Sequence, residues 1–222
     1  MPNKNKIVEL LDELSPEAQL IGAVNTVLND NGKLIGYNTD GYGFMQSVRD
    51  AGHDITGKNI TVMGVGGASM AICAQSALDG AASVHIFARR TSRYWNRTQK
   101  FAENLSAKTG CQVCLFDNDD HTALRDSIAQ SYLLINATSV GMVPDIDDTI
   151  IKDTSLFHPE LVVADVVYEP QETRLLREAK ATGCQTFNGM YMLLHQGAKA
   201  FQIWTGQEMP VSVIKEKYFS VK

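Results

Sequence analysis

A glycine cluster between an apolar strand and an apolar helix is the feature that most constrains the fold of this chain. NITVMG has the composition of a short buried strand, GVGGAS follows it directly, and MAICAQSAL continues as an apolar helix. Glycines allow a tight turn and let backbone amides approach a phosphate, which the positive end of the helix near Ala68 stabilises. Ser69 stands where the third glycine of the dinucleotide motif falls, so a plain strand-to-helix turn is the alternative.

Strands and helices go on alternating after this turn. SVHIFA, QVCLF, YLLINAT and LVVADVVY are strand-like, and helices are predicted over about residues 94–108 and around Leu124. This spacing predicts a parallel sheet covered on both faces, the α/β doubly wound, Rossmann-type fold.

The segments on either side of this region have other patterns. NKIVELLDEL (residues 5–14) has helical spacing, AVNTVL and KLIGYN flank an Asn-Gly hairpin turn, and YMLLHQGAKAFQIW is again helical. We therefore predict a partial α/β substrate-binding domain over 1–52 and a dinucleotide-binding domain over 53–189. The C-terminal helices of 190–222 are expected to return to the first domain.

Composition narrows the partners to small molecules. The net charge of -5 argues against nucleic-acid and anionic membrane surfaces, which require a positive field. The sequence contains neither a long apolar run nor a signal-type segment, which predicts a cytoplasmic location and reduced thiols. Cys111 and Cys114 form a C-x-x-C pair without further ligands, so we predict a structural role and no metal.

Arginines follow the second strand of the alternating region. Arg89, Arg90 and Thr91 stand where an NAD-selective site places an acidic residue. Guanidinium groups pair with a 2′-phosphate, which favours NADP over NAD as the cofactor. The alternative is that they form a solvated helix start.

Six ordered segments, MPNK, GAVNT, GYNTDG, GVGGAS, NATSVGM and MLLHQGA, carry a more specific signal. In order and spacing the chain resembles the shikimate and quinate dehydrogenase family. The resemblance implies an NAD(P)-dependent oxidoreductase that reversibly reduces 3-dehydroshikimate to shikimate in aromatic amino acid (chorismate) biosynthesis. Shikimate or quinate would be the substrate, and a homodimer is left open.

The resemblance also implies site residues. Lys4 and Asp40 match the catalytic pair, while Asn25 and Gln196 match positions that bind ring hydroxyls. Tyr168 matches a position on the nicotinamide side and is counted with the substrate-binding residues. The implied cofactor-binding residues are Val65, Gly66, Gly67, Ala68, Arg89, Arg90, Thr91, Thr138, Ser139, Val167 and Gly189.

The chemistry of the pair fits these roles. Oxidising a secondary alcohol needs a proton acceptor on the hydroxyl opposite the hydride acceptor, and a lysine beside a carboxylate can shuttle that proton. Taken singly, Lys4 would be a solvated charge and Asp40 a turn residue. His195 is adjacent to Gln196 but points elsewhere on a helix, so it is interpreted as structural.

Family enzymes carry roughly another half domain before the lysine segment, with a Ser-x-Ser loop for the substrate carboxylate. We therefore expect this chain to lack the N-terminal part of its catalytic domain, and to bind dinucleotide but turn over shikimate or quinate poorly. The alternative function is a dinucleotide-binding module without catalysis. A methylenetetrahydrofolate dehydrogenase-like protein is disfavoured by the N-T-D-G segment.

The arginines yield a first prediction. Separate titrations with NADP+ and NAD+ should show tighter binding of NADP+, because only the 2′-phosphate can pair with Arg89 and Arg90. Tighter binding of NAD+ would contradict the preference.

Overall fold

The computed structural model of the protein describes residues 3–219, so Met1 and Pro2 of the MPNK segment lie outside the described residues. Within this range the chain forms a three-stranded and a six-stranded sheet. Among the residues described, no helix is long and apolar enough to cross a membrane.

The small sheet contains the predicted hairpin. Asn31 and Gly32 both have positive φ, at 51° and 96°, as the tight turn between antiparallel strands requires. The strand order is β1-β3-β2, with β1 parallel and β2 antiparallel to β3. The elements are β1 (Glu13–Leu14), α1 (Pro16–Ile21), β2 (Thr26–Asp30) and β3 (Lys33–Tyr37).

The helix predicted over residues 5–14 is wrong beyond its first half. A 3-10 helix covers Lys6–Leu10, and the chain then extends into β1. The side chains of Leu11 and Leu14 lie over Gly36, where a Cβ atom would stand 2.5 Å and 2.9 Å from their methyl carbons. Packing onto the bare backbone of β3 therefore outweighs the helical spacing of these leucines.

The large sheet has the predicted doubly wound topology. Its order is β6-β5-β4-β7-β8-β9 with every pair parallel, so the direction of winding reverses between β4 and β7. Ligands bind in the crevice at such a reversal, beyond the carboxyl ends of the strands. The strands are β4 (Asn59–Met63), β5 (Ser83–Ala88), β6 (Gln112–Asp117), β7 (Leu133–Asn136), β8 (Val162–Asp165) and β9 (Gln185–Phe187).

Helices connect and cover these strands. Helix α6 and strand β9 carry no separate signal in the sequence analysis and complete the sheet edge. The helices are α2 (Asp40–Asp50), α3 (Gly67–Leu78), α4 (Trp95–Thr109), α5 (His121–Gln130), α6 (Arg174–Ala181), α7 (Met190–Thr205) and α8 (Val211–Ile214).

Helix α2 links the two sheets because it packs tightly against its neighbours. A Cβ on Gly41 would stand 2.3 Å from the Ala71 carbonyl oxygen of α3, and one on Gly43 would stand 2.6 Å from the Gln196 nitrogen of α7. Helix α7 also reaches the small sheet, where the Trp204 indole donates to the Val27 carbonyl at 2.9 Å. The domain boundaries at residues 52 and 189 stay a prediction.

This packing predicts the effect of a methyl group. Gly43→Ala should lower the free energy of unfolding by about 2 kcal/mol, because the new Cβ meets backbone atoms of α7. Gly197→Ala on α7 is the matched control, since its Cβ would meet nothing within 4 Å and alanine favours the helix. Urea denaturation of both variants measures the difference, and equal stabilities would contradict the contact.

Candidate active site

Lys4 and Asp40 form an ion pair although 36 positions separate them. The side chain of Asp40 is 7% exposed and that of Lys4 is 21% exposed. The carboxylate therefore lies within the protein while the ammonium reaches the surface of a cleft. The structure thus brings together the two residues predicted to be catalytic.

Asp40 is held by its position and by an amide network. It is the first residue of α2, where the helix dipole stabilises a negative charge. Its second carboxylate oxygen accepts a hydrogen bond from Asn25 Nδ2 at 2.9 Å, and the Asn25 oxygen accepts from the Thr39 backbone at 3.0 Å. The Lys4 carbonyl accepts from the Val24 amide at 2.8 Å, which fixes the lysine segment. These contacts hold the carboxylate and the backbone of the lysine segment at the positions that the pair requires.

A cavity of about 620 Å³ opens on the Asn25 side of the ion pair. Its polar groups include Lys4, Asn25 and Gln196, and its walls include Val24 and Trp204. The amides of asparagine and glutamine can both donate and accept, which suits a ligand with several hydroxyl groups. The predicted substrate-binding residues Asn25 and Gln196 therefore border one space with the lysine.

A second cavity, of about 550 Å³, lies at the glycine turn. No atom outside the turn lies within 4 Å of the Cβ positions of Gly66 and Gly67, so their backbone faces open space. Gly189 instead packs closely against the chain, because a Cβ atom added there would stand 2.1 Å from the Val166 carbonyl oxygen. The predicted residues that line this cavity are Gly66, Gly67, Ala68, Thr138, Ser139, Val167 and Tyr168.

A smaller cavity of about 240 Å³ connects the two ends of the cleft. It is lined by Lys4 on one side and by Val65, Gly66 and Gly67 on the other. The lysine therefore borders both the cavity beside Asn25 and the space in front of the glycine turn.

Comparisons with known proteins show the family of this chain. Models of the shikimate dehydrogenase substrate-binding domain and the shikimate 5'-dehydrogenase C-terminal domain match residues 1–27 and 189–217. The chain is 52% identical over 219 residues to a shikimate dehydrogenase (NADP(+)) of Listeria innocua, covering 99% of this chain and 75% of that protein. It belongs to the shikimate dehydrogenase family.

Other relatives extend this similarity. A quinate/shikimate dehydrogenase of Escherichia coli is 42% identical over 97% of this chain and 75% of its own length. A crystal structure of shikimate 5-dehydrogenase from Listeria monocytogenes, in complex with shikimate and NAD, superimposes with a TM-score of 0.94. That structure shares 52% identity and is matched over 97% of this chain and 74% of its own. The similarity to these family members thus covers nearly the whole of this chain.

The arginines of this family member lie away from the cavities described. Arg89, Arg90 and Thr91 are exposed, and the Arg90 guanidinium stacks 4.7 Å from the centre of the Trp95 ring. The sequence analysis missed Tyr94, Arg97 and Thr98 on the connecting cavity, which lie on one side of the start of α4. Their helical spacing was the available signal.

A buried carboxylate behind the second cavity was also missed. Asp165 is 0% exposed at the end of β8 and accepts hydrogen bonds from Val167 N, Asn136 Nδ2 and Thr173 Oγ1, at 2.9, 3.0 and 2.8 Å. Burial raises the pKa of Asp165 to about 6, and the three hydrogen bonds only partly oppose that shift. A single aspartate in a strand-like segment gives no pattern from which this could be predicted.

The remaining candidates have structural partners. Cys111 and Cys114 are free thiols, and burial raises the pKa of the Cys111 thiol to about 11, which keeps it protonated and unreactive. His195 is buried and pairs with the Asp50 carboxylate at 2.9 Å. Over residues 3–219 no group of three or more metal-ligating side chains is found.

The pKa of Asp165 predicts a pH dependence of stability. The folded chain holds this proton up to about pH 6, whereas the unfolded chain releases it near 3.8, so stability is lost as pH rises through that window. Asp165→Asn removes the effect. The difference between the unfolding free energy of the Asp165→Asn variant and that of the parent should therefore rise by roughly 3 kcal/mol between pH 4 and pH 7. Denaturation at both pH values measures this, and a constant difference would contradict it.

Proposed function

We propose that this protein is a shikimate dehydrogenase, which reversibly reduces 3-dehydroshikimate to shikimate with NADPH or NADH. The observation that carries the proposal is the Lys4–Asp40 ion pair, whose lysine borders both the cavity beside Asn25 and the smaller cavity that reaches the glycine turn. The 52% identity to a shikimate dehydrogenase (NADP(+)) supports it. Quinate is the second candidate substrate, because a relative at 42% identity is a quinate/shikimate dehydrogenase.

The glycine turn fits a dinucleotide. Gly66 is the N-cap and Gly67 the first residue of the twelve-residue helix α3, and the backbone of both faces open space. The amides of the first helical turn have no partners within the helix, so they can bind a phosphate. We assign Val65, Gly66, Gly67 and Ala68 to the pyrophosphate. The other cofactor-binding residues proposed are Thr138, Ser139, Val167 and Gly189 at the nicotinamide end, and Arg89, Arg90 and Thr91 at the ribose.

The cavity beside Asn25 fits the ring of the substrate, because a few polar side chains stand in a mostly apolar lining. Asn25 uses its amide nitrogen to hold Asp40, so its position is fixed before any ligand arrives. Gln196 faces the same space from α7, and Tyr168 borders the glycine-turn cavity. We assign these three residues to substrate binding, with Asn25 and Gln196 as partners of ring hydroxyl groups.

The catalytic pair moves the proton. A bound nicotinamide supplies or accepts the hydride. During reduction, the Lys4 ammonium stabilises the negative charge that develops on the carbonyl oxygen and donates a proton to it. Asp40 orients the lysine and stabilises its charged form, and the same steps run in reverse for oxidation. The domain boundaries, the cytoplasmic location and the homodimer stay predictions.

Two substitutions test the proposal. Lys4→Ala should lower kcat for shikimate oxidation by about 100-fold or more, because the proton acceptor is lost. Asp40→Asn should lower it less and leave the KM for NADP+ almost unchanged. Lys33→Ala is the matched control, since Lys33 forms an exposed ion pair with Glu13 outside the cleft. Reduced-nicotinamide absorbance follows the reaction.

The outcome separates two functions. An active parent and control with an inactive Lys4→Ala variant would identify the dehydrogenase. A parent that binds NADP+ but oxidises neither shikimate nor quinate would identify the dinucleotide-binding module instead. The similarity to dehydrogenases over 99% of the chain favours the first.

A further inference from the structure

Asp165 is a buried charged group for which the proton-transfer scheme has no use. It ends β8, directly behind the cavity at the glycine turn, and contributes no atom to the lining of that cavity. Burying a carboxylate is costly unless its oxygens accept hydrogen bonds, so its partners indicate what it does for the structure.

Two of those partners, Asn136 and Val167, stand where β7 and β8 lead into the loops proposed to bind the nicotinamide. One Asp165 oxygen accepts from Val167 N at 2.9 Å and from Asn136 Nδ2 at 3.0 Å. The Asn136 oxygen then accepts from the Thr138 backbone nitrogen at 3.1 Å and from its hydroxyl at 2.6 Å. Val167 and Thr138 both line the cavity. A continuous chain of hydrogen bonds therefore joins the loop after β7 to the loop after β8.

A third contact fixes the carboxylate itself. The second Asp165 oxygen accepts from the Thr173 hydroxyl at 2.8 Å, and Thr173 is the N-cap of α6. The carboxylate is thereby held in the plane that lets its other oxygen reach both loops. Asp165 is anchored to a helix on one side and positions cavity-lining residues on the other.

We propose that Asp165 is a positioning residue for the nicotinamide half of the bound dinucleotide, an assignment that rests on the proposed dehydrogenase function. It acts through Val167 and through Asn136 and Thr138, and it does not touch the ligand. The residues proposed for the pyrophosphate and for the adenosine half belong to the glycine turn and to the segment after β5. The glycine turn is held by other contacts, such as the Ser69 hydroxyl that donates to the Gly64 carbonyl at 2.5 Å.

The acceptor oxygens, and not the negative charge, provide the positioning. Asp165→Ala leaves the Val167 amide and the Asn136 amide group without their buried acceptor, so both loops must shift to find other partners. Asp165→Asn keeps one oxygen at the same place, and its nitrogen can donate to the Thr173 hydroxyl. The asparagine variant is therefore the near-isosteric control.

The experiment compares two ligands on the whole chain. NADP+ carries both halves of the dinucleotide, whereas adenosine 2′,5′-bisphosphate lacks the whole nicotinamide mononucleotide half. Calorimetric titration of the parent, Asp165→Ala and Asp165→Asn gives six dissociation constants. We expect Asp165→Ala to weaken NADP+ binding about tenfold and to leave the binding of adenosine 2′,5′-bisphosphate within about twofold of the parent. Asp165→Asn should bind NADP+ within about threefold of the parent.

Other results would overturn the assignment. Equal weakening for both ligands would show a general structural role, and unchanged NADP+ binding in Asp165→Ala would show no role. If the alanine variant does not fold, Asp165→Leu, which has a similar volume and no acceptor, undergoes the same comparison and the same criteria apply. A parent that binds neither ligand would overturn the proposed dehydrogenase function and this assignment with it.

Discussion

The contact of α2 with α3 and α7 is the constraint on which the cleft depends. Gly41 and Gly43 let the backbone of α2 approach the Ala71 carbonyl and the backbone nitrogen of Gln196. Any residue larger than glycine would prevent this close approach. Asp40 precedes these glycines by one and three positions, so its carboxylate is placed by backbone packing. The carboxylate partner of Lys4 is therefore positioned by the junction of the two sheets, and a catalytic pair requires such positioning.

The two ends of the cleft are built from the same kinds of side chain in different surroundings. Asp40 shares hydrogen bonds with Asn25, and Asp165 shares them with Asn136. The first carboxylate meets a lysine at the edge of a cavity, so its charge is compensated and available for chemistry. The second is buried, which raises its pKa to about 6, and its oxygens accept hydrogen bonds from Val167 N, Asn136 Nδ2 and the Thr173 hydroxyl.

The sequence predicted the large sheet because the signals were local. Apolar runs such as NITVM and SVHIFA form strands by composition, and the Asn31–Gly32 turn specifies its own hairpin. Long-range packing was not predictable: Leu11 and Leu14 leave helical spacing to cover Gly36. In the site, ordered motifs pointed to Lys4 and Asp40. Asp165 was not predictable in this way, because its hydrogen-bond partners Asn136 and Thr173 are distant in sequence and meet it only in the folded chain.

The positions of the aromatic side chains have a practical consequence. The chain contains two tryptophans, and they have different surroundings. Trp204 of α7 borders the cavity beside Asn25 and donates to the Val27 carbonyl. Trp95 is the first residue of α4, where it is buried under Arg90 and lines none of the cavities described. Emission from a variant that keeps Trp204 alone would therefore report occupancy of the cavity beside Asn25, without any attached dye.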